Sequence, residues 1–300
     1  MPENDVSISV IVPFYHGNAF LGSLFQSLED AVRLLQKEQP ERQAELVLVN
    51  DSPDEAVILP EGAFSFAVNE VVMPENSGIH AARIAGVRAS SGAYLLFLDQ
   101  DDRISERFFL SQIEVIGDFG AAVSNYEIER ADGTLLKGYR KRKELTRLNR
   151  KSEYLYAYNV IKSPGQCLLK RTALPEEWLN ESLRKNGADD LLLWVLYLER
   201  GQRFALNKEC LYVHAYTGRN LSESEKDMGR SALEAAKVLK NVPYIPAKDV
   251  RTLERSRTFR LESRNAGGLK RIGLAFRFAD VVVMRAVYKL EVILSGKLSE

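Results

Sequence analysis

One stretch limits what this chain can fold into more than any other: YLLFLDQDD, from Tyr94 to Asp102, an apolar run that ends abruptly in Asp99, Asp101 and Asp102. An uninterrupted apolar run of this length reads as a strand buried on both faces of a parallel sheet. Ligands of open α/β sheets sit just beyond the carboxyl ends of such strands. The strand therefore delivers acids to the place where these folds bind things. Crowded carboxylates repel one another unless a positive group joins them. A hard divalent cation such as Mg²⁺ or Mn²⁺, carrying a phosphate, meets that need with oxygen ligands. The plainer alternative is a turn in which Asp is simply a favoured residue.

The rest of the first half alternates strands and helices. Ser7 to Phe14 is a predicted strand, and Asn18 to about Lys37 a helix, with Leu21, Leu24, Phe25, Leu28, Val32 and Leu35 at helical spacing. Glu45 to Asp51 and Phe66 to Met73 are further strands, and Glu75 to Ala89 a helix that stops near Gly92. After the Tyr94 strand come a helix at about Ser105 to Ile116 and a strand at Gly120 to Ile128. This rhythm predicts an α/β fold: a doubly wound, mostly parallel sheet with helices on both faces. Ala188 to Arg200 is a strongly apolar helix opening on two acids, and Gln202 to Leu206 and Leu211 to His214 are short strands. From about Ser222 only helices follow, at Ser222 to Lys240, Asp249 to Arg264 and Leu269 to Leu298. The expected division is residues 1–222, halved near residue 102, and a helical extension over 223–300.

Lys+Arg and Asp+Glu both number 41, which argues against a dedicated nucleic-acid binder. Cys167 and Cys210 are too few for a disulfide scaffold and lack CxxC spacing; His16, His80 and His214 are scattered, so no zinc site is expected. The first residues carry no basic segment followed by a long apolar one, so no secretory signal is expected. No uncharged apolar stretch reaches membrane-spanning length. A cytoplasmic protein with reduced thiols is the expectation.

Charge is uneven locally. Lys137 to Lys151 has eight basic residues against Glu144, which suits a solvated loop, a phosphate grip or an anionic membrane surface. The last helix is expected to gather Ile272, Phe276, Ala279, Val283, Ala286, Val287, Leu290 and Leu294 on one face and Lys270, Arg277, Asp280, Arg285, Lys289 and Glu291 on the other. Such a helix packs within the chain, forms a homodimer contact, or lies at a membrane interface through residues 269–298.

Three strand ends carry polar groups that converge if the sheet is doubly wound: Pro13 to Tyr15, Asn50 to Ser52, and Asp99 to Asp101. Tyr15 can stack on a base, Asp51 can accept from a base N–H, and Asp101 can hold a metal that bridges a diphosphate. Gly78 permits close backbone approach at a helix start, and Arg83 projects one turn in; both features favour phosphate. Ser163 to Gln166 suits the acceptor side by its place in the chain, and a purely structural Pro-Gly turn by its composition.

In their order, IVPFYHGNAFLGSLFQSL, VNDSPDE, NSGIHAARIAG and LDQDD resemble glycosyltransferase family 2, whose members are inverting enzymes with the GT-A fold. GADDLLLWVLYLERG (Gly187 to Gly201) resembles that family's acidic catalytic segment, and YVHAYTGRNLS (Tyr212 to Ser222) its closing segment. The resemblance covers roughly residues 5 to 222. It implies that Pro13 and Tyr15 flank the nucleotide base, Asp51 binds it, and Arg83 lies near the nucleotide or its phosphates. Asp99 then faces the ribose or sugar, Asp101 the Mn²⁺ or Mg²⁺, and Asp190 is the general base, with Asp189 beside it. The pattern is broken where Asn50 replaces the first acid, Ile84 an asparagine and Thr217 a frequent histidine.

The implied reaction moves a sugar from a nucleotide-diphosphate donor, a UDP-sugar by the family's habit, to a hydroxyl of a glycan or lipid-linked acceptor in surface polysaccharide synthesis. A non-catalytic binder of sugar nucleotides is one alternative. A sugar-1-phosphate nucleotidyltransferase is another, weakened by the absence of a glycine-rich basic loop after the first strand. From the residues alone, Asp189 and Asp190 serve equally as acids that favour a helix start.

Overall fold

The computed structural model describes residues 8–157, 159–215, 225–264 and 266–297, with side chains as far as 291. The chain forms two compact units. One comprises the described parts of Met1–Arg140, Ile161–Leu174 and Gln202–Asn220, and contains all nine described strands. The other comprises Lys141–Val160, Pro175–Gly201 and Leu221–Glu300, and is helical.

The first unit begins β1 (Ile8–Phe14), α1 (Asn18–Glu38), β2 (Ala44–Asn50), β3 (Ala67–Val72), α2 (Ile79–Ala89) and β4 (Tyr94–Phe97). These four strands are parallel, in the order β3-β2-β1-β4. Period-two alternation in β1 explains the layering. Ile8, Val10, Val12 and Phe14 pack with Leu21, Leu24, Phe25 and Leu28 of α1. Ile11 points the other way, toward Gly86 of α2. Helices therefore cover both faces, as the doubly wound expectation requires.

Past β4 the sheet becomes mixed. It continues with β5 (Arg103–Ile104), α3 (Phe108–Ile116), β6 (Ala121–Glu129), β7 (Leu135–Lys137), β8 (Cys167–Lys170) and β9 (Phe204–Ala215). β8 runs antiparallel to β4 and β6, β9 runs parallel to β6, and β5 and β7 pair antiparallel to β9 and β6.

Two sequence expectations are corrected here. The helix expected from Glu75 starts only at Ile79, because Gly78 adopts φ +87°, a conformation glycine takes readily, and turns the chain just before it. The two short strands expected after Gly201 are one 12-residue strand, β9. Its polar Asn207-Lys208-Glu209 is absorbed at an irregularity in the pairing with β6. There the Asn207 side chain accepts the Glu209 N–H at 3.0 Å and donates to Ser111 at 2.8 Å. Of the closing segment, Tyr212 to Ala215 belong to β9, and Thr217 with the remainder lies outside the described residues, as does the expected helix start at Ser222.

The second unit holds α4 (Arg142–Thr146), α5 (Glu176–Asn180), α6 (Asp189–Glu199), α7 (Glu225–Lys240), α8 (Ala247–Arg264), α9 (Gly268–Arg277) and α10 (Ala279–Lys297). Leu191 to Leu198 of α6 are all buried. Buried Arg257 donates to the carbonyls of Tyr154 at 2.7 Å and Ala157 at 2.8 Å, tying α8 to the turn at Glu153–Ala157. Much of the basic run is anchored. Arg147 forks onto Glu153 through two bonds of 2.7 Å, Arg150 meets Glu291 at 2.7 Å, and Lys151 lies 2.8 Å from Glu199 and 2.7 Å from Asp249.

The single C-terminal helix of the sequence reading is two helices, parted at Phe278. Phe278 is buried with Ala266, Leu274 and Val281, and the Arg255 and Arg277 guanidiniums lie 5.1 and 5.0 Å from its ring centre. The packed stripe is thus Leu274, Phe278, Val281 and Tyr288, not the face expected from the sequence: Ile272, Phe276, Val283, Val287 and Leu290 are exposed.

Candidate functional site

β2, β1 and β4 are neighbours, so their carboxyl ends lie side by side. Phe14 is level with Asn50 and Ile11 with Phe97; the Asp51 N–H donates to the Phe14 carbonyl at 2.8 Å and the Leu98 N–H to that of Ile11 at 3.0 Å. The three polar strand ends singled out in the sequence therefore meet on one rim. Pro13 lies in β1, level with Val49 and half-buried.

Tyr15 stands at this rim with half its surface exposed. Its backbone is clamped by the Gln100 side chain, which accepts the Tyr15 N–H at 2.9 Å and donates to its carbonyl at 3.0 Å. His16 follows with φ +46° and closes the loop toward β2, its N–H reaching the Ser52 hydroxyl at 3.2 Å and its ring meeting Glu55 at 2.5 Å. The aromatic offered for stacking is thus fixed from both neighbouring strands.

Asp51 is buried, and its two oxygens accept the Ser77 N–H at 2.7 Å and the Gly78 N–H at 2.8 Å. It organises the turn leading into α2, with lone pairs left for another donor. In α2, Arg83 is buried and donates to Asp99 at 2.5 Å. The other Asp99 oxygen accepts from the Ser163 hydroxyl at 3.2 Å. Ser163 also caps the turn Pro164–Gln166 by accepting the Gly165 N–H at 3.2 Å, and the fully buried Gln166 crosslinks it to Ser124. The Pro-Gly segment is thus a capped and cross-linked turn, and Ser163 adds a contact to the acidic rim.

The three acids have separate fates. Asp99 is paired with Arg83. Asp102 is buried and accepts from the Tyr212 hydroxyl, from the Ala215 N–H at 3.0 Å, and stands 3.1 Å from His214 Nδ1. Burial and the Asp102 charge hold the Tyr212 hydroxyl well above its usual range. For Asp101, burial first and then the Asp102 and Asp99 charges push the carboxyl up to about 7.

Among the described residues no group of three or more His, Cys, Asp or Glu side chains is arranged to hold a metal unaided. The residues present fit a cation of another kind. Asp101 sits in a crowd of negative charge that raises its proton affinity, and Mg²⁺ or Mn²⁺ commonly takes one or two protein carboxylates and completes its shell with phosphate and water.

Asp189 and Asp190 open α6 in the helical unit. Asp189 is buried, and its carbonyl accepts from the Trp178 indole at 2.8 Å. Asp190 is half-buried; one oxygen accepts from Asn159 at 2.5 Å and the other from the Leu191 N–H at 2.6 Å.

Sequence reading gave no separate role to Gln100, Asp102, Tyr212 or Asn159, and named Ser163 only as part of the Pro-Gly segment. Gln100, Asp102 and Tyr212 lay inside quoted motifs, so position alone pointed to them. Tyr212, Ser163 and Asn159 act through partners 31 to 110 residues away, which no local pattern reveals.

A family model described as glycosyl transferase family 2 matches residues 9–178. Among curated proteins, the chain is 24% identical over 257 residues to an uncharacterized glycosyltransferase of Haemophilus influenzae, covering 84% of this chain and 80% of that one. It is 27% identical over 243 residues to the minor teichoic acid biosynthesis protein GgaB of Bacillus subtilis, covering 78% of this chain but 24% of that one, about a quarter of GgaB's length. Among solved structures, TarS 1–349 of S. aureus in complex with UDP-GlcNAc aligns with a TM-score of 0.61 at 15% identity, covering 92% of this chain and 81% of that one. The mannosyltransferase PcManGT of Pyrobaculum calidifontis, in complex with GDP-Man and Mn²⁺, aligns with a TM-score of 0.55 at 15% identity, covering 96% and 84%. At such identities these two structures speak for the fold alone, which is the GT-A fold anticipated from the motifs. With a family match over more than half its length and a sheet that brings the matching motifs to one rim, the chain belongs to glycosyl transferase family 2.

Proposed function

We propose that this glycosyltransferase is an inverting enzyme that moves a sugar from a nucleotide-diphosphate donor, a UDP-sugar, to a hydroxyl of a glycan or lipid-linked acceptor in cell-surface polysaccharide synthesis. The observation that carries the reading is the shared rim: a clamped, exposed Tyr15, the buried Asp51 and the acids Asp99 and Asp101 at three neighbouring strand ends. The nucleotide sugars bound by TarS and PcManGT and the pathway named for GgaB support the donor class and the polymer setting.

In this reading Pro13 and Tyr15 flank the base and Asp51 accepts a base N–H with its remaining lone pairs. Gly78 lets backbone approach the nucleotide closely. Arg83 lies near the nucleotide or its phosphates and, through its ion pair, holds Asp99 toward the ribose or sugar. Asp101 holds Mn²⁺ or Mg²⁺, which when bound supplies positive charge against the leaving diphosphate. Asp190 takes the proton from the attacking hydroxyl, held in position by Asn159, with Asp189 beside it. Residues 1–222 form the transferase domain and 223–300 its helical extension. The enzyme works at the cytoplasmic face of the membrane that carries its acceptor.

A panel of radiolabelled sugar nucleotides, with and without Mn²⁺, tests this directly. Transfer or slow hydrolysis of one donor is expected, abolished by EDTA and restored by Mn²⁺ or Mg²⁺. Asp190→Asn is expected to abolish transfer while thermal stabilisation by the donor persists. Near-normal turnover by that variant would remove Asp190 from the role, and full activity in EDTA would remove the metal from Asp101.

A further inference from the structure

The backbone pairing of β1 with β4 ends at Ile11, level with Phe97. The Leu98 N–H still donates to the Ile11 carbonyl at 3.0 Å, but Pro13, the next β1 residue whose backbone faces β4, has no N–H to give. Beyond it a side chain takes over. The Gln100 amide accepts the Tyr15 N–H at 2.9 Å and donates to the Tyr15 carbonyl at 3.0 Å, as a backbone group would.

Gly17 makes room for this clamp. It is buried, and a Cβ there would collide with the Gln100 amide, 2.5 Å from its Cδ and 2.9 Å from its Nε2. The Gly17 φ of −108° is open to any residue, so the missing side chain serves the space and not the backbone.

Gln100 also belongs to the turn that carries Asp101. The Asp102 N–H donates to the Asp99 carbonyl at 3.1 Å, which makes Gln100 and Asp101 the two central residues of that turn. The outer two are held separately: Asp99 by Arg83 and Ser163, Asp102 by Tyr212 and the Ala215 N–H. Gln100 anchors the inner pair, and it does so on the loop that carries Tyr15.

We propose that Gln100 is a positioning residue that links the two ends of the donor site, setting the Tyr15 platform for the base and the Asp101 turn for the cation with one side chain; this rests on the roles proposed above for Tyr15 and Asp101. It acts through those two residues and needs no contact with the donor. Whatever orders one end then favours the other, and such coupling is reciprocal.

The test titrates each ligand without the other, in the full chain at about pH 8, where a proton no longer competes with the cation. Mn²⁺ is followed by the paramagnetic resonance of the free ion with no nucleotide present, and UMP and GMP by calorimetry in EDTA. Gln100→Leu keeps the bulk and removes both hydrogen bonds. It is expected to weaken Mn²⁺ binding and mononucleotide binding each by about fivefold or more. Gly17→Ala displaces the same amide without altering it, so it should give the same pair of losses, and it carries the test if the leucine variant does not fold. The double variant should be no weaker than Gln100→Leu alone, because both changes act on one clamp. Loss of Mn²⁺ binding alone overturns the proposal in favour of Gln100 as a direct cation ligand, and loss of mononucleotide binding alone in favour of a clamp that serves only the base. Additive losses in the double variant, or unchanged affinities in both single variants, overturn it while the proposed donor site stands. A parent that fails to bind Mn²⁺, or binds neither mononucleotide, overturns the proposed donor site and this link with it.

Discussion

Arg83 and Asp99 sit sixteen residues apart in the chain and form a 2.5 Å ion pair at the acidic rim, the guanidinium 3% and the carboxylate 26% exposed. The pair joins α2 to the end of β4. It also fixes which of the three clustered acids is already neutralised and which is left to attract a proton.

Removing the arginine strands Asp99 in a partly dry setting. Arg83→Met is expected to lower stability by about 2 kcal/mol, less than the loss of a fully buried pair because Asp99 retains some water. Urea denaturation checks this, and an unchanged midpoint would make the pair ornamental.

Asp101 gives a pH signature. Its carboxyl is raised from the ordinary 3.8 to about 7, so between those values the folded protein holds a proton that the unfolded chain has released. Stability from this group is fully present below about pH 4 and is lost as pH rises toward 7. In EDTA, Asp101→Asn should therefore gain on the parent by roughly 2–3 kcal/mol between pH 5 and pH 8. Mn²⁺ affinity of the parent should fall about tenfold per unit below pH 7, since metal and proton compete. Calorimetric titration across that range reads the second effect, and a flat profile would show that Asp101 is not a ligand.

Two glycines hold the layers of the sheet unit close. A Cβ on Gly86 would lie 2.3 Å from the Ile11 side chain, and one on Gly92 would lie 2.5 Å from the Ser9 backbone nitrogen. Gly92→Ala meets backbone that cannot move aside and is expected to destabilise by about 2–3 kcal/mol, with Gly86→Ala somewhat milder. Gly22→Ala in α1 meets nothing within 4 Å and should stabilise by about 0.5–1 kcal/mol. Thermal melts of the three variants should show this order.

Lys151 bridges Glu199 and Asp249, whose side chains are 7 and 10% exposed. Burial, and after it the nearby Asp249, raises the Glu199 carboxyl despite the lysine's opposing pull. Lys151→Met leaves two like charges facing each other and is expected to lose about 3 kcal/mol at pH 8. The loss should shrink as pH falls, because the raised proton affinity of Glu199 lets it take up a proton and relieve the repulsion. Denaturation across falling pH distinguishes this from simple loss of packing, which pH would not change.

Much of the transferase framework was readable beforehand. The helical spacing of Leu21, Leu24, Phe25, Leu28, Val32 and Leu35 marked the face of α1 that is buried, and all six are nearly inaccessible. The strand ends at Tyr15, Asp51 and Asp99 were read correctly because apolar runs that stop on polar residues are local patterns. The C-terminal helices failed for the opposite reason. Both Ile272 and Leu274 are apolar, and only the partners Phe259, Ala266 and Phe278 decide that Leu274 turns inward.

The sequence by itself determined the α/β rhythm, the family and the identity of the acids, since hydrophobic period and motif order are properties of neighbouring residues. Tertiary structure alone decided that Arg83 serves Asp99, that Asp102 is spent on Tyr212 and His214, and that Asp101 is left with a proton affinity near neutrality. Charge pairing and desolvation depend on what lies across a few ångströms of space. No spacing along the chain records that.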